Sequence, residues 1–145
     1  MTLLETIKTL PADDYLYIGL ASGSGFVTIE RNRDFDPEVL NKRMETRRPL
    51  LTSILEEAKE DLEISLGKNP KTKRDQKKEE ERQQIARETI NHCEELMKIP
   101  FCDREVVETY SRWADPERMG KVLLIDGVES ICGIWYVGDE RRMAW

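Results

Sequence analysis

Leu51-Thr-Ser-Ile-Leu-Glu-Glu-Ala-Lys-Glu-Asp-Leu62 is the stretch on which the fold turns. Leu51, Ile54, Leu55, Ala58 and Leu62 recur at steps of three and four, which puts them on one helical face. A second stretch, Ala86-Arg-Glu-Thr-Ile-Asn-His-Cys-Glu-Glu-Leu-Met97, repeats the pattern at Ala86, Ile90, Cys93 and Met97. Between them lies Gly67-Lys-Asn-Pro70, where glycine can end one helix and proline can open the next. Two amphipathic helices joined by a tight polar turn fold back as an antiparallel hairpin. With its lead-in from Asp36, the hairpin takes residues 36–99, nearly half the chain.

Pro49 interrupts the first helix. It pushes Arg47 and Arg48 away from helical geometry, so the helix either kinks there or starts afresh. Asp36-Pro37-Glu38 is itself a helix opening, with an acidic cap and proline at the first position. The second helix starts near Thr72, and Lys71 to Gln84 holds no apolar side chain, so the hairpin tip is expected to be solvated. Val39, Leu40, Met44 and Leu50 are an apolar surplus on the first helix, with the sheet or a second copy of the chain as destinations.

On the N-terminal side, Leu3, Leu4, Ile7 and Leu10 share a face of a short helix capped by Thr2 and stopped by Pro11. Tyr15 to Leu20 and Phe26 to Ile29 are β-forming runs joined by Ala21-Ser-Gly-Ser-Gly25, a β-hairpin signal. That turn lacks the ending of a phosphate-binding loop and reads as a plain hairpin turn. On the C-terminal side, residues 103–113 suit either a short helix or a strand, and the strand reading is adopted here. Lys121 to Ile125 is a buried strand, Asp126-Gly127 a turn, and Ile131 to Val137 a further strand. Isolated hairpins are marginal. The economical fold is therefore α+β: one antiparallel sheet built from an N-terminal β-hairpin and a C-terminal β-meander, with a central long antiparallel helical hairpin. The organisation is a single domain over 1–145, divided as 1–35, 36–99 and 100–145.

The net charge of −6 argues against wholesale nucleic-acid binding and leaves room for a local basic pocket. Cys93, Cys102 and Cys132 are widely spaced, form no CxxC pair and have only His92 beside them, so no metal site and no cofactor are expected. The first ten residues lack the layout of a signal peptide, and no run is long and apolar enough for a membrane span, so a cytoplasmic protein is expected. His92 and Cys93 are neighbours on a helix and face about 100° apart, so they do not form a nucleophile–base pair. No hydrolase or metalloprotease motif is present and no catalytic residue is assigned; a non-enzyme is expected.

Arginines near aromatic rings are the more telling feature. In a strand, Arg104, Tyr110 and Arg112 have even spacing and share a face, combining phosphate-binding guanidinium groups with a stacking ring. Asn91, near the end of the second helix, would reach the same region to read a ribose or base edge. The competing reading is surface arginines paired with Glu105 and Glu108.

The layout resembles small phage and prophage proteins. Tyr15 to Ile29 carries the pattern Tyr-x-x-Ile-Gly-x-x-Ser-Gly-x-x-x-Ile, and the helical hairpin follows. Then come Arg104-Glu-Val-Val-Glu-Thr-Tyr110, Gly120 to Gly127, and Gly133-Ile-Trp135. Among families of known function the chain is similar to the phage Thoeris anti-defence sponges, which sequester a cyclic ADP-ribose immune signal. The resemblance implies a non-enzymatic binder of a cyclic nucleotide in the host bacterial cytosol. It implies a homo-oligomer associating through the long helices, with a pocket formed between subunits. It carries over Asn91, Arg104 and Arg112 to that pocket, with Arg47 or Arg48 as phosphate partners. The alternative is a protein–protein inhibitor of host defence, such as an anti-CRISPR, acting through an acidic helical surface.

Overall fold

The computed structural model describes residues 1–23, 25–46, 48–113 and 116–129. The expected strand Ile131 to Val137, with Cys132 and Trp135, lies outside the described residues, as does Arg47. The chain divides into two compact units. One is Met1–Thr46 together with the chain from Ile99 on, and the other runs from Arg47 to Lys98.

The first unit is built on a four-stranded sheet. Helix α1 (Leu3–Ile7) precedes the hairpin of β1 (Tyr15–Leu20) and β2 (Phe26–Arg31). A 3₁₀ turn at Asn32–Asp34 leads to α2 (Pro37–Glu45). A second 3₁₀ turn, Phe101–Asp103, leads to β3 (Val106–Arg112), and β4 (Gly120–Ile125) follows. The order across the sheet is β2-β1-β4-β3. Both hairpins are antiparallel, whereas their joint, β1 against β4, is parallel. The antiparallel expectation holds within each hairpin and is corrected at the joint. About a hundred residues separate β1 from β4, so the crossover that a parallel pair demands is available, and hydrophobic alternation is blind to strand direction.

The local signals act as expected. Thr2 caps α1 in a reciprocal capping box with Glu5, and the Asp36 carboxylate accepts the Glu38 N–H at 3.0 Å. The Asn32 side-chain amide donates to the Ile7 and Leu10 carbonyls at 3.0 Å each, closing the end of α1 onto the end of β2. Leu16, Ile18, Leu20, Leu123 and Ile125 point to one sheet face and bury against Leu3, Leu40, Met44, Phe101 and Cys102. Leu40 and Met44 of the apolar surplus thus go to the sheet. The opposite face carries a smaller cluster of Tyr17, Ile29 and Val122, flanked by Tyr15, Phe26 and Leu124. At Gly120 an added Cβ would lie 1.8 Å from the Tyr15 carbonyl oxygen, so only glycine lets β4 start beside β1.

The second unit is the helical hairpin of α3 (Arg48–Leu66) and α4 (Lys73–Lys98). Pro49 therefore marks a restart rather than a kink: α2 ends at Glu45 and α3 begins at Arg48. Thr72 accepts the Asp75 N–H at 3.1 Å at the start of α4. Of the apolar stripes read from the sequence, Leu51, Ala58, Ala86 and Cys93 are buried and Ile54, Leu55, Leu62, Ile90 and Met97 half-buried, while Leu96, outside them, is buried too. Near the tip, Glu79 is the centre of a clasp. It accepts the Ser65 hydroxyl at 2.5 Å and pairs with Lys68 at 3.5 Å and Arg82 at 3.1 Å. The Ser65 bond is the first cause that holds the Glu79 carboxyl below its usual range. No described helix is long and apolar enough to cross a membrane.

Candidate functional site

The pairing register puts four residues in a row at one end of the sheet, on the face opposite the main core. They are Arg31 on β2, Tyr15 on β1, Gly120 on β4 and Arg112 on β3. All four are half-buried, while in the next row inward Ile29, Tyr17 and Val122 are buried and Tyr110, on β3, is exposed. The Arg31 guanidinium lies over the Tyr15 ring, 5.3 Å from its centre. The Arg112 guanidinium lies 4.8 Å from the Tyr17 ring centre and 5.3 Å from that of Phe26. Tyr17 and Phe26 meet edge to face at 5.5 Å, and the Tyr17 hydroxyl donates to the Arg118 carbonyl. Three inter-strand steps of ~4.8 Å separate the Cα atoms of Arg31 and Arg112, about 14 Å in all.

The electrostatics of this row are positive and fixed. The Tyr15 phenol holds Arg31 above the ordinary arginine value, through a hydrogen bond first and charge attraction second. The Arg112 Nε–H is buried and has no acceptor among the described residues. A guanidinium stacked on a ring keeps its N–H fork in the ring plane, free to grip an anion edge-on.

The expected site residues fare differently. Tyr110 and Arg112 do share a face of β3, as read from the sequence. Arg104 does not join them. It precedes the strand, and the ladder shifts register between Val106 and Glu108, which breaks the even spacing. Its side chain is only 5% exposed and faces Glu129, itself 2% exposed, with Nη2–Oε1 at 2.9 Å and Nη1–Oε2 at 3.2 Å. It also stacks on Phe101, 5.1 Å from the ring centre. This partner is neither Glu105 nor Glu108. Glu105 instead pairs with the Met1 ammonium at 2.8 Å. Asn91 is exposed on α4, in the other unit. The side chains of Arg47 and Arg48 lie outside what is described.

Arg31 was missed by the sequence reading. It closes the second β-run, and only the β1–β2 register reveals that it stands beside Tyr15. Cys102 is buried, and burial is the main cause that pushes its thiol up to about 12, so it is inert at neutral pH. No cluster of His, Cys, Asp and Glu able to hold a metal occurs among the described residues. Compared with family models, with curated proteins and with solved structures, the chain matches none.

Proposed function

We propose that the protein binds and sequesters a cyclic nucleotide signal of the cyclic ADP-ribose class without degrading it. The reading rests on one observation, the Arg31–Tyr15–Gly120–Arg112 row, whose two arginines have their Cα atoms about 14 Å apart and each lay a guanidinium over an aromatic ring. A ligand with bases and phosphates offers what that row can use: anionic oxygens for the two forks and flat rings for the aromatic side chains. Sequestration needs affinity alone, so the absence of an assigned nucleophile or base is no obstacle to it. Arg112 and Tyr110 keep the roles that the sequence suggested, Arg31 joins them, and Arg104 serves the fold instead.

The same reading brings a second copy against the hairpin, since Ile64, Leu66 and Ile85 are each more than half exposed there. The protein then acts as a homo-oligomer in the cytosol of a phage-infected cell. The test is a thermal-shift series with cyclic ADP-ribose isomers. Ligand at 100 times its Kd adds about 2.7 kcal/mol, which raises Tm by roughly 5–10 °C for a chain of this size. The ligand should be recovered intact by chromatography. Arg112→Ala and Arg31→Ala should each abolish the shift. Absence of a shift with any isomer, together with co-purification of a host protein, overturns the reading in favour of a protein inhibitor.

A further inference from the structure

We infer that β3 pairs with β3 of a second copy, antiparallel about a two-fold axis at Tyr110, extending the sheet across the interface. Among the described residues β3 is an edge of the sheet, and Val107 to Tyr110 are exposed on both faces. An edge strand of this kind presents unpaired N–H and C=O groups that template a further strand. Part of that edge is already taken from within the chain. The Leu3 N–H donates to the Arg104 carbonyl at 3.0 Å, the Val106 N–H to the Met1 carbonyl at 2.9 Å, and Thr2 bridges to Glu105. The N-terminus therefore blocks the edge up to residue 106. What remains among the described residues is 107–113, and its centre is Tyr110.

About that centre the segment is complementary to itself. With Tyr110 facing Tyr110, Glu108 faces Arg112, Thr109 faces Ser111 and Val107 faces Trp113. Each pairing matches in kind: carboxylate with guanidinium, hydroxyl with hydroxyl, apolar with apolar. Val107 and Trp113 are exposed large apolar side chains, at 54% and 69%, and the pairing covers both. The Arg112 guanidinium lies over Tyr17 and Phe26, and the N–H donors that the rings leave open are what Glu108 of the second copy, directly across, would meet. A shift of one residue in either direction would put Glu108 and Arg112 on opposite faces, so the charges fix the register.

The test is site-directed cross-linking in the full chain carrying Cys132→Ser, which leaves the buried Cys93 and Cys102 as the only native thiols. Cα atoms directly opposite in an antiparallel pair are about 4.5–5.5 Å apart, within disulfide range, while diagonal ones are about 7–8 Å apart. Tyr110→Cys should therefore give a covalent dimer under mild oxidation, and Thr109→Cys should not. A hairpin contact between copies does not produce this difference. The unsubstituted chain gives a second measurement that no folding defect can spoil. Every second amide of 107–112, those not bonded to β4, should lose protection from hydrogen exchange on dilution. Glu108→Arg and Arg112→Glu should each weaken that protection, and the double swap should restore it. Cross-linking at neither position, cross-linking at both, or protection independent of concentration would each overturn the pairing.

Discussion

Removing one partner of the Arg104–Glu129 pair should cost far more than removing both. The two side chains are 5% and 2% exposed and meet through two N–H···O bonds of 2.9 and 3.2 Å. Glu129 also accepts the Val128 N–H at 3.1 Å, and Arg104 also donates to the Asp126 carbonyl at 3.3 Å. Glu129→Ala leaves a guanidinium out of water with its counter-charge gone. Breaking a buried pair in this way costs about 3–5 kcal/mol. At roughly 3 °C per kcal/mol for a chain of this length, Tm should fall by about 9–15 °C. Arg104→Met with Glu129→Leu removes both charges and keeps apolar volume over Phe101. Its loss should stay within about 2 kcal/mol, chiefly the orphaned Val128 N–H and Asp126 carbonyl. Urea titrations followed by circular dichroism measure both variants against the unsubstituted chain. If Glu129→Ala loses less than about 1 kcal/mol, or the double variant is as unstable as the single, the pair is not the desolvated clamp described here. The double variant should also keep any nucleotide-induced thermal shift, which separates a structural Arg104 from a ligand-binding one.

Gly120→Ala should destabilise the sheet by about 1–3 kcal/mol or prevent folding, because the methyl group would meet the Tyr15 backbone at 1.8 Å; chemical denaturation reads it. Asn32→Ala should cost about 1–3 kcal/mol by orphaning the carbonyls of Ile7 and Leu10, and exchange at α1 should rise first. Cys102 makes the protein sensitive to alkali. Its thiol is pushed up to about 12 in the folded chain against 9.0 otherwise, so the stability it adds is complete below pH 9 and is lost as pH rises toward 12. Cys102→Ala should flatten that alkaline limb of a stability–pH curve; an unchanged limb would refute the assignment.

Local chemistry made much of this protein readable from the chain itself. The stripe from Leu51 to Leu62, the stop at Gly67 and the caps at Thr2 and Asp36 depend on neighbours within a few residues, and each formed the expected element. Pro49 signalled a break because its ring disfavours helical geometry just before it, yet Arg48 itself opens α3, and the choice between kink and restart was not local. The even spacing of Tyr110 and Arg112 was enough to place them on one face. That spacing misled for Arg104, since the bulge at Val107 has no signature in residue types.

The site itself needed the tertiary structure. Arg31 and Arg112 are 81 positions apart in the chain, and only the registers of β1 with β2 and of β4 with β1 and β3 set them in one row. Arg104 and Arg112 look alike in the sequence, each an arginine near aromatic residues. Both lie over aromatic rings and both have a buried Nε without an acceptor among the described residues, but only Arg104 is paired with a buried carboxylate from a distant loop. The sequence alone determined most of the described helices and strands, because those preferences act over a turn or a few residues, while residues 103–113 suited either until β4 paired with them. The parallel joint of the two hairpins, the pairing of Arg104 and the place of β3 at the edge of the described sheet were decided by contacts across the fold, which residue types and their spacing do not encode.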